Sequence, residues 1–304
     1  MNYYTLYDCP LDDPGPFFEA KLSHSLEDYP EGIVIPIDKP YRWTSADVVR
    51  KIKFQLSRHF GLKKLKVGHA GTLDPLATGL LIVCVGKATK IAEELQAHEK
   101  EYVACVEFGA TTASYDLEQP VDCFYPYEHI TPEAVASALQ GFVGEQEQVP
   151  PVFSAKIIGG LRAYEYARAG EPVELRTNVI NIFEAELLDY LTCGIGEQYK
   201  SPSGDSGSRA GLDCAIARLE RRGLGQGPSI EVEHLTPDLS QVKHVHNYHT
   251  SGASDGTRPS AVIRIRCSKG TYIRSLARDL GLALDSGAYL TALRRTASGP
   301  FHIE

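Results

Sequence analysis

An uninterrupted apolar run, Leu80-Leu81-Ile82-Val83-Cys84-Val85, comes straight off a loop rich in Gly, Thr, Asp and Pro, and this junction limits the folds open to the chain. An apolar stretch of that length bounded by turn residues reads as a buried strand. The loop before it, residues 66–79, reads Lys-Val-Gly-His-Ala-Gly-Thr-Leu-Asp-Pro-Leu-Ala-Thr-Gly and contains one carboxylate, Asp74. Pro75 fixes its own φ and disfavours helical geometry at Asp74, so the acid sits on a defined bend. Glycines at 68, 71 and 79 let a large ligand approach the backbone closely. The same residue types also build ordinary turns. Composition alone favours the ordinary turn; the order of the residues overturns that reading.

Strands and helices alternate irregularly along the rest of the chain. Gly32–Pro40 reads as a short strand, and Ser45 as the N-cap of a helix to about Arg58, with Val48 or Val49, Ile52 and Leu56 on one face. Its other face offers Arg50, Lys51, Lys53 and Arg58 to solvent or phosphate. A helix near Thr89–Ala97 and a strand Glu101–Phe108 follow. Thr131-Pro132-Glu133 opens a helix whose face is Val135, Leu139 and Phe142. Short helix Ala163–Ala169, strands Val179–Leu188 and Ala261–Cys267, helix Ile273–Leu284 and a closing strand at Leu293–Thr296 complete the reading. The expected class is α+β (mixed α/β), with a central, largely antiparallel sheet flanked by helices. The first 32 residues, acidic and without periodicity, read as an irregular extension of a domain spanning 33–304. Residues 192–260 hold ten glycines and nine serines and read as an insertion in a hairpin connection.

Charge is unevenly placed. The net is −8, but residues 1–32 carry seven acids against one lysine, while residues 38–69 carry nine Lys/Arg against two Asp. Residues 262–295 carry seven Lys/Arg against two Asp. Two basic segments inside an acidic average suggest a localised phosphate-facing surface. Seven scattered cysteines without a CxxC pair argue against a disulfide framework or a zinc site and for buried free thiols. His244-Val-His246 has no carboxylate or Cys partner at ligand spacing, so no metal is expected. No apolar run approaches ~18 residues and no signal-peptide order opens the chain, which points to a cytoplasmic protein without membrane association.

Gly68-His69-Ala70-Gly71-Thr72-Leu73-Asp74-Pro75-Leu76-Ala77-Thr78-Gly79 closely resembles the signature loop of the TruB family of tRNA pseudouridine synthases. Ser268-Lys269-Gly270-Thr271-Tyr272-Ile273-Arg274 resembles a second motif of that family. The resemblance covers residues 33–190 and 261–300 and implies the pseudouridine synthase fold, tRNA (its T-arm and TΨC loop) as partner, and no cofactor. It implies Asp74 as the catalytic acid and Arg274 as its guanidinium partner, a task suited to a permanently charged bidentate donor. Tyr102 is implied to stack on the target base and accept a proton. Tyr272 and Leu293 line the same pocket, and His69 helps occupy the space left when the base flips out. Residues 149–170, with Lys156, resemble a thumb that clamps RNA; Asp38-Lys39-Pro40 matches a further motif in which Lys39 braces the loop or contacts phosphate. The expected activity is isomerisation of uridine 55 in the TΨC loop, by a monomer. The alternatives are a guide-RNA-dependent synthase, a non-catalytic tRNA-folding chaperone, and a glycosidase-like hydrolase. The chain ends at Glu304, where many relatives continue, so no C-terminal RNA-binding domain is expected.

Overall fold

The computed structural model describes residues 3–153, 157–158, 161–162, 166, 175–191 and 258–303. The chain divides into two units, one made of Met1–Tyr102 with Arg294–Glu304, the other of Val103–Leu293.

The first unit is organised by β2 (Ile33–Lys39) and β4 (Thr78–Val85), paired antiparallel from Ile33↔Val85 to Lys39↔Gly79. Both are buried along nearly their whole length, as continuous apolar runs require. Strand β3 (Val67–His69) pairs antiparallel with β4, and β1 (Tyr4–Thr5) parallel with β2. The C-terminal part of β13 (Ala288–Ser298) runs parallel to β4 through Arg294↔Thr78 and Arg295↔Gly79. Strand β14 (Phe301–His302) folds back on β13. Val34, Leu80, Ile82, Cys84, Leu95 and Phe301 form one core cluster of this unit.

Helix α2 (Ser45–His59) buries the predicted face: Val48, Ile52 and Leu56 are fully inaccessible. Its N-cap is Thr44, one residue before the expected Ser45, because Asp47 at the third helical position completes a reciprocal capping box with Thr44. Of the four cations expected on the other face, Arg50, Lys53 and Arg58 are exposed, whereas Lys51 is half-buried and its Nζ donates to Asp12 O at 2.7 Å. The first 32 residues differ from expectation. They include α1 (Pro14–Lys21), which packs on α2 and buries Phe18 completely. At eight residues, α1 is too short to show a period in sequence. Its anchor is a single aromatic whose burial contributes about 1.5–3 kcal/mol.

In the second unit the strand order is β13 (its first half), β5 (Lys100–Phe108), β12 (Ser260–Cys267), β11 (Asn178–Leu191) and β8 (Gly144–Gln148). Strands β11 and β12 pair antiparallel from Ile182↔Cys267 to Leu191↔Ser260, which places residues 192–259 in the connection between two partnered strands. Apart from its last residues, the expected insertion lies outside the described residues. Helix α4 (Pro132–Gln140) starts at its Thr131 cap and buries Val135 and Leu139. Helix α5 (Ile273–Ala283) buries Arg274 along with its apolar face. Most described pairings in both units are antiparallel, and the class is mixed α/β as expected. Of the expected thumb, only residues up to 153, the paired Ile157–Ile158 and Leu161–Arg162, and Tyr166 are described. Lys156 and nearly all of the expected helix Ala163–Ala169 lie outside the described residues.

Candidate active site

The Asp74 loop is held from three directions within the first unit. Asp74 O accepts a hydrogen bond from Ala77 N at 3.1 Å, which makes Asp74–Ala77 a β-turn with Pro75 in the position that favours proline. The flanking Leu73 and Ala77 are buried, while Asp74 itself is half-buried. The carboxylate therefore projects from a backbone that is anchored on both sides.

Ser45 supplies the first anchor. Its hydroxyl donates to Leu73 O at 3.1 Å and accepts from Leu73 N at 2.9 Å, satisfying both backbone groups of the residue before Asp74. Thr44 takes the cap, and this leaves the Ser45 hydroxyl available for the loop.

Lys39 supplies the second. It is fully buried, and its Nζ donates to Trp43 O at 2.6 Å, Pro40 O at 3.0 Å and Pro75 O at 3.2 Å. Arg42 N also donates to Pro75 O, at 2.8 Å. The carbonyl of Pro75, the residue after Asp74, is thus clasped to the 40–43 loop. Burial lowers the Lys39 pKa to about 8, opposed chiefly by the Asp74 carboxylate. Of the two functions the motif allowed, the geometry within this unit is that of a brace.

Arg295 is the third anchor, and sequence reasoning did not single it out. It is fully buried, and its guanidinium donates to Leu80 O at 2.7 Å, Gly71 O at 3.2 Å and Thr72 O at 3.5 Å. Gly79 makes that approach possible: at φ 98° it has no Cβ, and one added there would lie 2.3 Å from Arg295 O. His69, half-buried on β3, has its pKa lowered by burial and then by Arg295, so the ring is neutral at neutral pH. Its Nδ1 is buried with no hydrogen-bond partner among the described residues. Tyr102, nearly buried, is the last residue of the first unit before the chain enters the second.

In the second unit Arg274 is buried on the first turn of α5. Its Nη1 donates to Ser114 O at 3.2 Å, and its Nε lies 3.7 Å from Asp116 Oδ2. Asp116 is in turn held by Ser114 Oγ at 2.5 Å and Glu118 N at 2.9 Å. A buried acid in a tight turn gives no signal in sequence, and Asp116 was missed for that reason. Tyr272 is fixed by a two-way bond with the buried Gln148, its N donating to Oε1 at 2.8 Å and its O accepting from Nε2 at 3.1 Å. Leu293, half-buried on β13, is the last residue of this unit.

The two basic segments differ from one another. On α2, Arg50 pairs with Asp47 and Lys51 donates to Asp12 O, while Lys53 and Arg58 are exposed; most arginines of 262–295 are neutralised or buried. Arg264 pairs with Glu186, Arg266 with Glu184, Arg278 with Asp279 and Arg294 with Asp38. The net charge of that stretch overstates what it offers to phosphate.

The model of the TruB family pseudouridylate synthase N-terminal domain matches residues 58–196, and that of the tRNA pseudouridylate synthase B C-terminal domain matches residues 274–304. The chain is 44% identical over 276 residues to tRNA pseudouridine synthase B of Phocaeicola vulgatus, covering 91% of this chain and 89% of that one. It is 39% identical over 279 residues to the protein of the same name from Flavobacterium johnsoniae, covering 91% and 93%. Among solved structures it is similar to a crystal structure of a Cbf5-Nop10-Gar1 complex, with a TM-score of 0.50 and 24% identity, covering 90% of this chain and 50% of that one. That last likeness concerns the fold. With its Asp74 loop anchored by Lys39, Ser45 and Arg295, and with relatives matched over nine tenths of its length, the chain belongs to the TruB family of pseudouridylate synthases.

Proposed function

We propose that this chain isomerises uridine 55 in the TΨC loop of tRNA to pseudouridine. The observation that carries the proposal is the single half-buried carboxylate on a Pro75 turn, its backbone fixed by buried side chains, in a chain 44% identical to a tRNA pseudouridine synthase B. The reaction breaks the C1′–N1 bond, rotates the uracil, joins C1′ to C5, moves the C5 proton off carbon and returns one to N1. It is an isomerisation, so one ionised and well-placed acid suffices and no cofactor is required.

On the family pattern Asp74 is the catalytic carboxylate, Arg274 its guanidinium partner, and Tyr102 the stacking ring and proton acceptor. His69, Tyr272 and Leu293 contact the flipped nucleotide, and residues 149–170, with Lys156, grip the RNA. We assign Lys39 to positioning: its ammonium holds Pro75 O and leaves phosphate contact to the exposed cations of α2. A neutral His69 suits stacking and hydrogen bonding to a base better than an imidazolium would. Residues 33–304 act as the catalytic part in the cytoplasm, on tRNA without a guide RNA. Incubating the purified chain with an unmodified tRNA transcript and mapping pseudouridine tests this. Product at position 55 without guide RNA is expected; its absence, or release of free uracil, would sink the proposal.

A further inference from the structure

Away from the Asp74 loop, the end of α1 and the end of α2 bring together three groups that the sequence keeps far apart. Glu19 lies in the last turn of α1, His24 just beyond it, and His59 is the last residue of α2. His59 Nδ1 is 3.0 Å from Glu19 Oε1, and His24 Nε2 is 3.5 Å from Glu19 Oε2. All the candidate donor atoms lie within 4.8 Å of one another.

The outer nitrogens decide what the inner ones are. His59 Nε2 is 2.8 Å from Ser23 O, and a carbonyl only accepts, so Nε2 carries the hydrogen. In the neutral ring Nδ1 is then a lone pair, facing a carboxylate oxygen that is also a lone pair. His24 repeats the pattern, with Nδ1 3.5 Å from His59 O and Nε2 toward Glu19. Two acceptors 3.0 Å apart need a cation between them, either a proton on Nδ1 or a metal ion. A histidine whose second nitrogen is tied to a backbone carbonyl is the usual arrangement behind a metal ligand. The two distances run to the two oxygens of one carboxylate, which faces both rings at once, and the rings lie stacked with centroids 4.8 Å apart. The His59 side chain is buried, whereas Glu19 and His24 are more than half exposed, so the cluster has a fixed floor and an open entry.

We propose that Glu19, His24 and His59 form a zinc site with solvent in the fourth position. It clasps α1 to the end of α2 and is structural, at the opposite end of α2 from Ser45. Two imidazoles and one carboxylate favour zinc over the oxygen-preferring magnesium or calcium.

The test uses the full, tag-free chain and zinc ion alone. Titration calorimetry should give one equivalent bound, and zinc should raise the Tm by a few degrees, roughly as expected for a ligand well above its Kd. Glu19→Gln and His24→Gln, both at exposed positions that tolerate change, should weaken binding by more than the ~10–100-fold that loss of an outer partner causes. The cobalt-loaded protein should show a tetrahedral spectrum that both variants lose. His244→Gln with His246→Gln should leave binding intact. Absence of stoichiometric zinc, or binding that survives Glu19→Gln and His24→Gln, would overturn the proposal, leaving His59 with only a proton toward Glu19.

Discussion

Replacing Ser45 by alanine isolates the anchor that precedes Asp74. The hydroxyl partners both the N–H and the C=O of buried Leu73, at 2.9 and 3.1 Å. Alanine leaves both without that partner, and each unsatisfied buried group costs about 1–3 kcal/mol, so a loss of roughly 2–6 kcal/mol is expected. No cap is lost, because Thr44 and not Ser45 caps α2, and the gain in helix propensity from Ser to Ala is only about 0.5 kcal/mol. Thr44→Ala is therefore the neighbouring control, costing about 1 kcal/mol through its cap alone. The two variants should also separate kinetically. Freeing the peptide before Asp74 misplaces the carboxylate, and a displacement near 1 Å is worth up to about 100-fold, so kcat on a tRNA transcript should fall about 10- to 100-fold. Binding of tRNA should change little, and Thr44→Ala should keep its kcat. Urea denaturation and single-turnover kinetics on both proteins decide it. A Ser45→Ala protein as stable and as fast as Thr44→Ala would refute the claim that this hydroxyl positions the loop.

Other outcomes follow from the same anchors. Gly79→Ala should destabilise the chain by more than about 2 kcal/mol, because the new methyl meets Arg295 backbone at 2.3 Å and φ is 98°; a wild-type denaturation midpoint would contradict the packing. Lys39 titrates at about 8 when folded against 10.5 when unfolded, so between these values the unfolded chain binds more protons. Folding stability contributed by this group therefore rises with pH from about 8 to 10.5, by on the order of 3 kcal/mol. Comparison with Lys39→Met across that window should show wild type gaining on the variant, whereas parallel pH profiles would exclude the effect. The His69 pKa is lowered below 6.5, so its contribution is full above that value and is lost as pH falls below it. His69→Asn should flatten the wild-type loss of stability below pH 6.5, measured by thermal melts.

Local periodicity made much of the fold legible. Val48, Ile52 and Leu56 on α2, and Val135 and Leu139 on α4, were readable as faces and are buried as such. The apolar run after Gly79 became β4, buried except at its first residue. What escaped was non-local or too short to repeat. Ser45 reads as a cap, and only the Thr44–Asp47 box, resolved in three dimensions, shows that its hydroxyl serves Leu73 instead. Arg295 lies more than two hundred residues from the carbonyls it holds, and nothing near it in sequence marks it. Glu19 and His59 meet across forty residues for the same reason. The motif residues were named from resemblance, and the structure places Asp74 on a fixed turn and Arg274 beside Asp116, a partner no motif contained.

The central claim is that the chemistry depends on the Asp74 carboxylate, presented by a rigid loop. Asp74→Asn removes the charge while preserving size and the Ala77–Asp74 backbone bond. In a single-turnover assay with position-resolved detection of pseudouridine, the variant should bind tRNA as wild type does and form no product over many wild-type half-lives. Pseudouridine forming in Asp74→Asn at a rate within tenfold of wild type would contradict the account.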